Sequence, residues 1–253
     1  MRSSGSRLGQ LIKFTFLILV VAVIALAVTP LNLYYKHVSQ HIKYLSLSGI
    51  SGSVVKGAAE DLKYMTLSLG RAEWLMYPKS HNSLGGQLKI AKDNYNLKFD
   101  IHKLAENGVW ADTIQGYIDW QFFKPFLQLR YGQLSGYAQL NLNNIYYTQS
   151  GGLERLQGEV VLNDFKMTAP VDKELGLIKV VFETKSPGMI VGQFSSDSPV
   201  FNVSGSMFLQ PHRWQLNLDI IPKAGHFELD AIFNSVGQAR RGGGRKLNLA
   251  GFY

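Results

Sequence analysis

Apolar and polar residues alternate with a period of two along much of the chain after residue 46. The clearest segments are 94–102, 213–221 and 226–233. Because successive side chains of a strand point to opposite faces, each segment has one apolar and one polar face, as in antiparallel sheets with one buried side. Further strands are predicted near 62–69, 86–91, 114–122, 127–131, 133–142, 155–164, 178–183, 200–209 and 246–253.

A short phrase recurs on these segments: an apolar residue, any residue, glycine, any residue, an apolar residue. It is centred on Gly52, Gly86, Gly116, Gly136, Gly158 and Gly205. With a period of two, each glycine lies on the apolar face, where it marks a bulge, a bend or the close approach of another element. We therefore predict an all-β domain built on a curved, sandwich-like antiparallel sheet. Its apolar face is either filled by its own side chains or left open as a groove, and the sequence is compatible with both.

Turn residues separate the predicted strands. Clusters of Gly, Pro, Asn, Asp and Ser predict turns at 92–94, 143–144, 186–188, 195–199 and 222–225. Two stretches, 103–109 and 172–177, are candidates for short helical turns.

An uncharged apolar segment precedes the β region. Residues 14–33 read FTFLILVVAVIALAVTPLNL, and 20 residues of helix span ~30 Å, the thickness of the hydrocarbon core of a bilayer. Arg2, Arg7 and Lys13 precede the segment, and the first acidic residue is Glu60. By the positive-inside rule, the N-terminus is cytoplasmic and the remainder lies across the membrane.

These features predict a layout of four parts. They are a basic cytoplasmic terminus (1–13), one transmembrane helix (14–34), a linker (35–46) and a β domain (47–253). The alternative is a cleaved signal peptide, since residues 25–27 read Ala-Leu-Ala, an A-x-A match. Both interpretations place the β domain outside the cytoplasm.

Candidate chemistry is sparse along the 253 residues. The chain has no cysteine, which excludes disulfides, thiol nucleophiles and thiolate metal sites. His37 and His41 have helical i, i+4 spacing but lack a third ligand, and no histidine has a catalytic partner at a recognised spacing. We therefore predict no enzyme, no catalytic, cofactor-binding or metal site, and no cofactor.

The net charge of +8 is a mild basic excess, for which solubility is a sufficient reason. The densest basic run, RRGGGRK at 240–246, lacks the strand–loop–helix context of a phosphate loop, and we predict a solvated hairpin tip. If it binds a partner, anionic lipid headgroups or an acidic protein surface fit best, and nucleic acid is not expected.

Several motifs carry a family resemblance. They are LSGISGSVVKG at 47–57, AEWLMYP at 72–78, LGGQL at 84–88 and the closing LNLAG at 247–251. Together with the single apolar N-terminal segment, they resemble the type II secretion system protein N family. One departure is that Val54 and Val55 stand where that family usually has Leu-Trp.

The resemblance implies an accessory inner-membrane component of the type II secretion machinery of Gram-negative bacteria, with its bulk in the periplasm. That machinery exports folded proteins from the periplasm across the outer membrane. The implied partners are the inner-membrane platform and, as a further candidate, the secretin, and the implied mode of action is protein–protein contact. The resemblance brings no catalytic residues. The alternative function is an anchored periplasmic β-groove protein that binds or transfers lipid.

Overall fold

The computed structural model describes residues 30–33, 35, 45–80, 83–105, 107–122, 133–148, 152–169, 172–225, 237–241 and 243–252. Their regular structure is almost entirely β-strand with antiparallel pairing, so the predicted all-β antiparallel class is confirmed. Most of the segment 14–34 and the predicted strands at 127–131 and 226–233 lie outside the described residues. Within those described, no helix combines the length and apolar character that a membrane crossing requires.

The chain divides into two compact units, residues 1–77 and 78–253. In the first unit, a 3-10 turn (Leu31–Leu33) is followed by β1 (Leu45–Ser48), β2 (Ser51–Gly52), β3 (Lys56–Ala59), β4 (Asp61–Tyr64) and β5 (Leu67–Ser68). Strands β1, β4 and β5 form a small sheet in the order β1-β4-β5. Strand β3 pairs with β2 on one side and on the other with β6 (Arg71–Ser80), which runs into the second unit.

The second unit is an up-and-down sheet of long strands. These are β7 (Ser83–Lys92), β8 (Tyr95–Ala105), β9 (Gly108–Asp119), β10 (Gln133–Thr148), β11 (Gly152–Ala169), β12 (Lys173–Ser186), β13 (Met189–Asp197), β14 (Phe201–Gln210), β15 (Arg213–Pro222), β16 (Gln238–Ala239) and β17 (Arg245–Phe252), with a 3-10 turn (Trp120–Phe122) after β9. From β7 to β15, each strand pairs with the next along the chain. Strand β17 then pairs with β15, and β16 pairs with β17.

The strand register aligns the apolar positions into rows that cross the whole second unit. One row contains Leu97, Gly116, Leu140, Val160, Val180, Phe194, Gly205, Leu218 and Leu247. The next contains Phe99, Ile114, Leu142, Gly158, Phe182, Gly192, Met207, Leu216 and Leu249. The predicted alternation therefore gives one continuous apolar face.

Burial on this face is uneven. Two clusters of buried side chains lie on it, one around Phe165, Met167 and Phe201 and the other around Leu142 and Ile190. Most other members of the two rows are only half-buried, and Leu249 is 45% exposed. The face is thus packed in two places and partly accessible between and beside them.

The recurring glycines mark close backbone approaches, as their position predicted. Gly116, Gly136, Gly158 and Gly205 have φ values of 144°, 133°, 113° and 147°, which L-residues rarely adopt. A Cβ atom at Gly158 would collide with the carbonyl oxygen of Asn141 and lie 2.8 Å from the Cα atom of Leu142. These positions require glycine because the backbone of the neighbouring strand leaves no room for a Cβ atom. This requirement is independent of what the apolar face packs against.

Four predicted local features are wrong. The predicted turn at 143–144 is a bulge inside β10, where Asn144 has a φ of 51° and the pairing with β11 shifts. The predicted strand at 62–69 is the hairpin of β4 and β5. The helical turns proposed at 103–109 and 172–177 are largely strand, since β8, β9 and β12 cover most of their described residues. Extended pairing in the sheet satisfies more backbone groups there than an isolated helical turn would.

Candidate interaction site

The glycine-containing motif at 51–59 forms a short hairpin in the first unit, which we call the signature hairpin. Ser51 pairs with Ala58 and Gly52 with Gly57, and residues 53–56 form the turn. The Ser53 amide donates to the Lys56 carbonyl (2.8 Å). The Ser53 hydroxyl accepts hydrogen bonds from the amides of Val55 (3.2 Å) and Lys56 (3.3 Å). The Ser53 side chain therefore stabilises the turn, because its hydroxyl accepts hydrogen bonds from two backbone amides of the turn.

Trp74 of β6 fixes this hairpin from the neighbouring strand. It lies directly opposite Gly57, and its indole Nε1–H donates to the Ser53 carbonyl at 3.0 Å. A Cβ atom at Gly57 would collide with the indole ring. Glycine at 57 thus makes room for the tryptophan of the later motif, and the two motifs are in direct contact.

The hairpin turn presents apolar side chains to solvent. Val54 and Val55 are 41% and 38% exposed, and Leu75, directly opposite Lys56, is 40% exposed. The Met76 amide donates to the Val55 carbonyl at 2.7 Å, which ties the turn to β6. Val54 and Val55 therefore form an apolar pair at a turn where folding does not bury them.

A model of the family described as type II secretion system (T2SS), protein N matches residues 43–248. The chain belongs to this family. The match begins just before β1 and extends into β17, so it covers the signature hairpin and most of the second unit. Neither a curated protein nor a solved structure matches the chain.

The predicted protein N resemblance is therefore confirmed, and with it a role in type II secretion. Sequence reasoning identified the motif residues but not their arrangement. The contact of Trp74 with Gly57 and the exposure of Val54, Val55 and Leu75 depend on the pairing of β3 with β6.

A second polar arrangement closes the β4–β5 hairpin. The Asp61 carboxylate accepts hydrogen bonds from the Ser68 hydroxyl (2.7 Å) and the Gly70 amide (3.2 Å), with Lys63 Nζ at 3.6 Å. The hydrogen bond from Ser68 is the main reason that the pKa of Asp61 lies below its usual range. The hydrogen bond from the Gly70 amide and the positive charge of Lys63 lower this pKa further. The carboxylate stays ionised and joins the strand ends, which is a structural role.

A cluster of titratable groups in the second unit lies on the surface. Lys79 donates to Asp112, which also contacts His102 Nδ1 at 3.1 Å, and the hydrogen bond from Lys79 lowers the pKa of the Asp112 carboxyl. All three side chains are substantially exposed, as in a surface ion pair. In the described part of the chain, no group of three or more potential ligands could hold a metal ion.

The remaining singled-out residues are placed as follows. His37 and His41 lie outside the described residues. Arg240 and Arg241 lie exposed in the connection between β16 and β17, and Arg240 Nε is 3.7 Å from Asp219 Oδ1. The described part of the basic run is thus a solvated turn with one acidic neighbour.

Proposed function

We propose that this member of the protein N family is an accessory, single-pass component of the inner membrane that acts through contacts with other secretion proteins. In this proposal residues 1–13 are cytoplasmic, 14–34 form the anchor, 35–46 are a linker and 47–253 are periplasmic. The apolar run, the basic residues before it and the late first acidic residue support this topology. The partner we propose is the inner-membrane platform, with the secretin as a further candidate. The proposal assigns no catalytic step, cofactor or nucleic acid to the chain.

The observation that carries the proposal is the exposed apolar turn of the signature hairpin. Isolated exposed apolar residues are common on protein surfaces and need no explanation by themselves. Here, however, a serine, two glycines and a tryptophan hold the apolar pair in one conformation. A fixed apolar turn loses little conformational entropy when it binds, which favours a docking role.

Site-specific photocrosslinking in living cells tests the contact. A photoreactive amino acid at Val55 is expected to give an adduct with another component of the secretion machinery. The matched control is Val181 on β12, which is 42% exposed and equally apolar. An adduct at position 55 that is absent at position 181 supports the proposal. Position 55 giving no adduct, or the same products as position 181, contradicts it.

A second candidate function is the binding of lipid acyl chains on the apolar face of the second unit. The observation that favours it is that most side chains in the two long apolar rows are half-buried, although they are surrounded by other apolar side chains. A continuous apolar face that stays partly accessible is the kind of surface on which a ligand or partner binds.

Native mass spectrometry of the full chain, released from detergent micelles in the gas phase, tests this second candidate. Lipid binding predicts a stoichiometric mass increment of a phospholipid that survives release from the micelle. A Val160→Asp variant, which places a charge in the middle of one row, is expected to lose the increment. Bare protein in the parent chain, or an increment unchanged in the variant, contradicts lipid binding on this face.

A further inference from the structure

The small sheet of the first unit has one strongly apolar end. Leu45, Tyr64, Met65 and Leu67 are 43%, 48%, 61% and 45% exposed. Leu45 is paired with Tyr64, and Tyr64 with Leu67, so the start of β1 and the tip of the β4–β5 hairpin lie side by side. We call these four residues the apolar tip. Met65 has a φ of 55°, a left-handed conformation that is unfavourable for a non-glycine residue and that presents its side chain at the turn.

The end of the apolar segment 14–34 contacts the first unit at two places. Leu31 is 8% exposed, and the short 3-10 turn that contains it lies against β2, which pairs with β3 and is not a strand of the small sheet. The Leu47 amide donates a hydrogen bond of 2.5 Å to the hydroxyl oxygen of Tyr35, the residue that follows the segment. Leu45 lies two residues before Leu47, about 7 Å along β1. The apolar tip is therefore close to the point at which the chain leaves the apolar segment.

We infer that the apolar tip inserts into the periplasmic interface of the inner membrane, beside the anchor. The inference rests on the proposed anchoring of residues 14–34. A short anchor connection places the tip within reach of the bilayer surface, and the composition of the tip suits that environment. Tyrosine prefers the headgroup region, and methionine and leucine prefer the acyl boundary.

This contact gives the β domain a second attachment to the membrane. A single helix followed by a linker leaves the attached domain free to rotate and tilt. The tip together with the anchor restricts the first unit to one orientation, with the β1 start and the β4–β5 turn towards the lipid. The signature hairpin belongs to the same unit. Contact with lipid therefore also orients the hairpin relative to the membrane.

Depth-dependent fluorescence quenching tests the inference, and the absence of natural cysteine makes single-site labelling direct. The full chain is reconstituted into phosphatidylethanolamine–phosphatidylglycerol nanodiscs with nitrobenzoxadiazole at Met65→Cys or, separately, at Thr66→Cys. The control is Ser48→Cys, which is exposed at the opposite end of β1. Phospholipids that carry a nitroxide near the headgroup are expected to quench positions 65 and 66 roughly twofold more than position 48, because interfacial side chains are buried about 5–10 Å deep.

Equal quenching at the three positions overturns the inference. A blue-shifted emission at positions 65 and 66 without quenching by the nitroxide lipid indicates a protein contact instead, and also overturns it. Extraction of the chain from vesicles by alkaline carbonate contradicts both the anchor and the tip contact. The quenching measurement does not depend on secretion. Its result is therefore the same whether or not the protein has the proposed role in export.

Discussion

A Gly158→Ala variant is expected to lose about 3–5 kcal/mol of unfolding free energy, the sum of a disallowed backbone conformation and an overpacked strand pair. Gly158 has a φ of 113°, and the added methyl group would collide with the carbonyl oxygen of Asn141 on the paired strand β10. Neither β10 nor β11 can move away easily, since each pairs with strands on both sides. Chemical denaturation of the full chain in detergent micelles, followed by tryptophan fluorescence, measures the loss.

The matched control separates strain from collision. Gly225 also has a positive φ, of 86°, but an added Cβ atom would meet nothing within 4 Å. Gly225→Ala is therefore expected to cost only about 1 kcal/mol, the strain of the left-handed backbone. If both variants unfold at the same denaturant concentration, the close approach of β10 at Gly158 is not rigid and the assigned role of these glycines is wrong.

The fold class was predictable from the sequence because side-chain alternation is local. Strand ends were less predictable, since they depend on partners. At 143–144, asparagine suits a turn and a bulge equally well, because its side chain tolerates a positive φ in both. Strand β6 was missed because it contains Pro78, which argues against a strand unless the missing amide is not needed.

Strand β13 was missed for a different reason. Its pattern is complete only if Gly192 is counted as an apolar position. In the structure, a Cβ atom at Gly192 would lie 2.8 Å from the ring of Phe182 on β12, so the aromatic ring of the neighbour covers the glycine. The same substitution of a cross-strand ring for a missing side chain occurs at Gly57 with Trp74. Such pairs join neighbouring strands, and the pattern within one strand does not show them.

The candidate site was predictable only in part, because its residues meet through the pairing of separate strands. The motif residues 47–57 and 72–78 could be recognised one by one, but their contact arises from strand pairing across 17 residues. The alternation of apolar and polar residues did not predict that Val54 and Val55 are exposed. An apolar residue within a β pattern is expected to point inward, whereas Val54 and Val55 lie on a turn and point to solvent.

Replacement of the exposed valine pair is the second change with a large expected effect. Because Val54→Asp and Val55→Asp alter solvent-exposed turn positions, each is expected to change stability by less than about 0.5 kcal/mol. If the pair is the centre of a docking surface, its loss removes about 2 kcal/mol of binding, and the contact weakens about thirtyfold. Export that depends on this contact should fall accordingly, although the variant chain is folded and present at the parent level.

Export by the double variant is the most direct test of the central claim, that this protein N family member serves type II secretion through its signature hairpin. The measurement compares the periplasmic and extracellular amounts of a secreted enzyme in cells whose single copy of the chain carries Val54→Asp and Val55→Asp, with Val181→Asp as the control. The claim predicts that the enzyme accumulates in the periplasm only in the double variant. Equal export by the parent, the control and the double variant would contradict it.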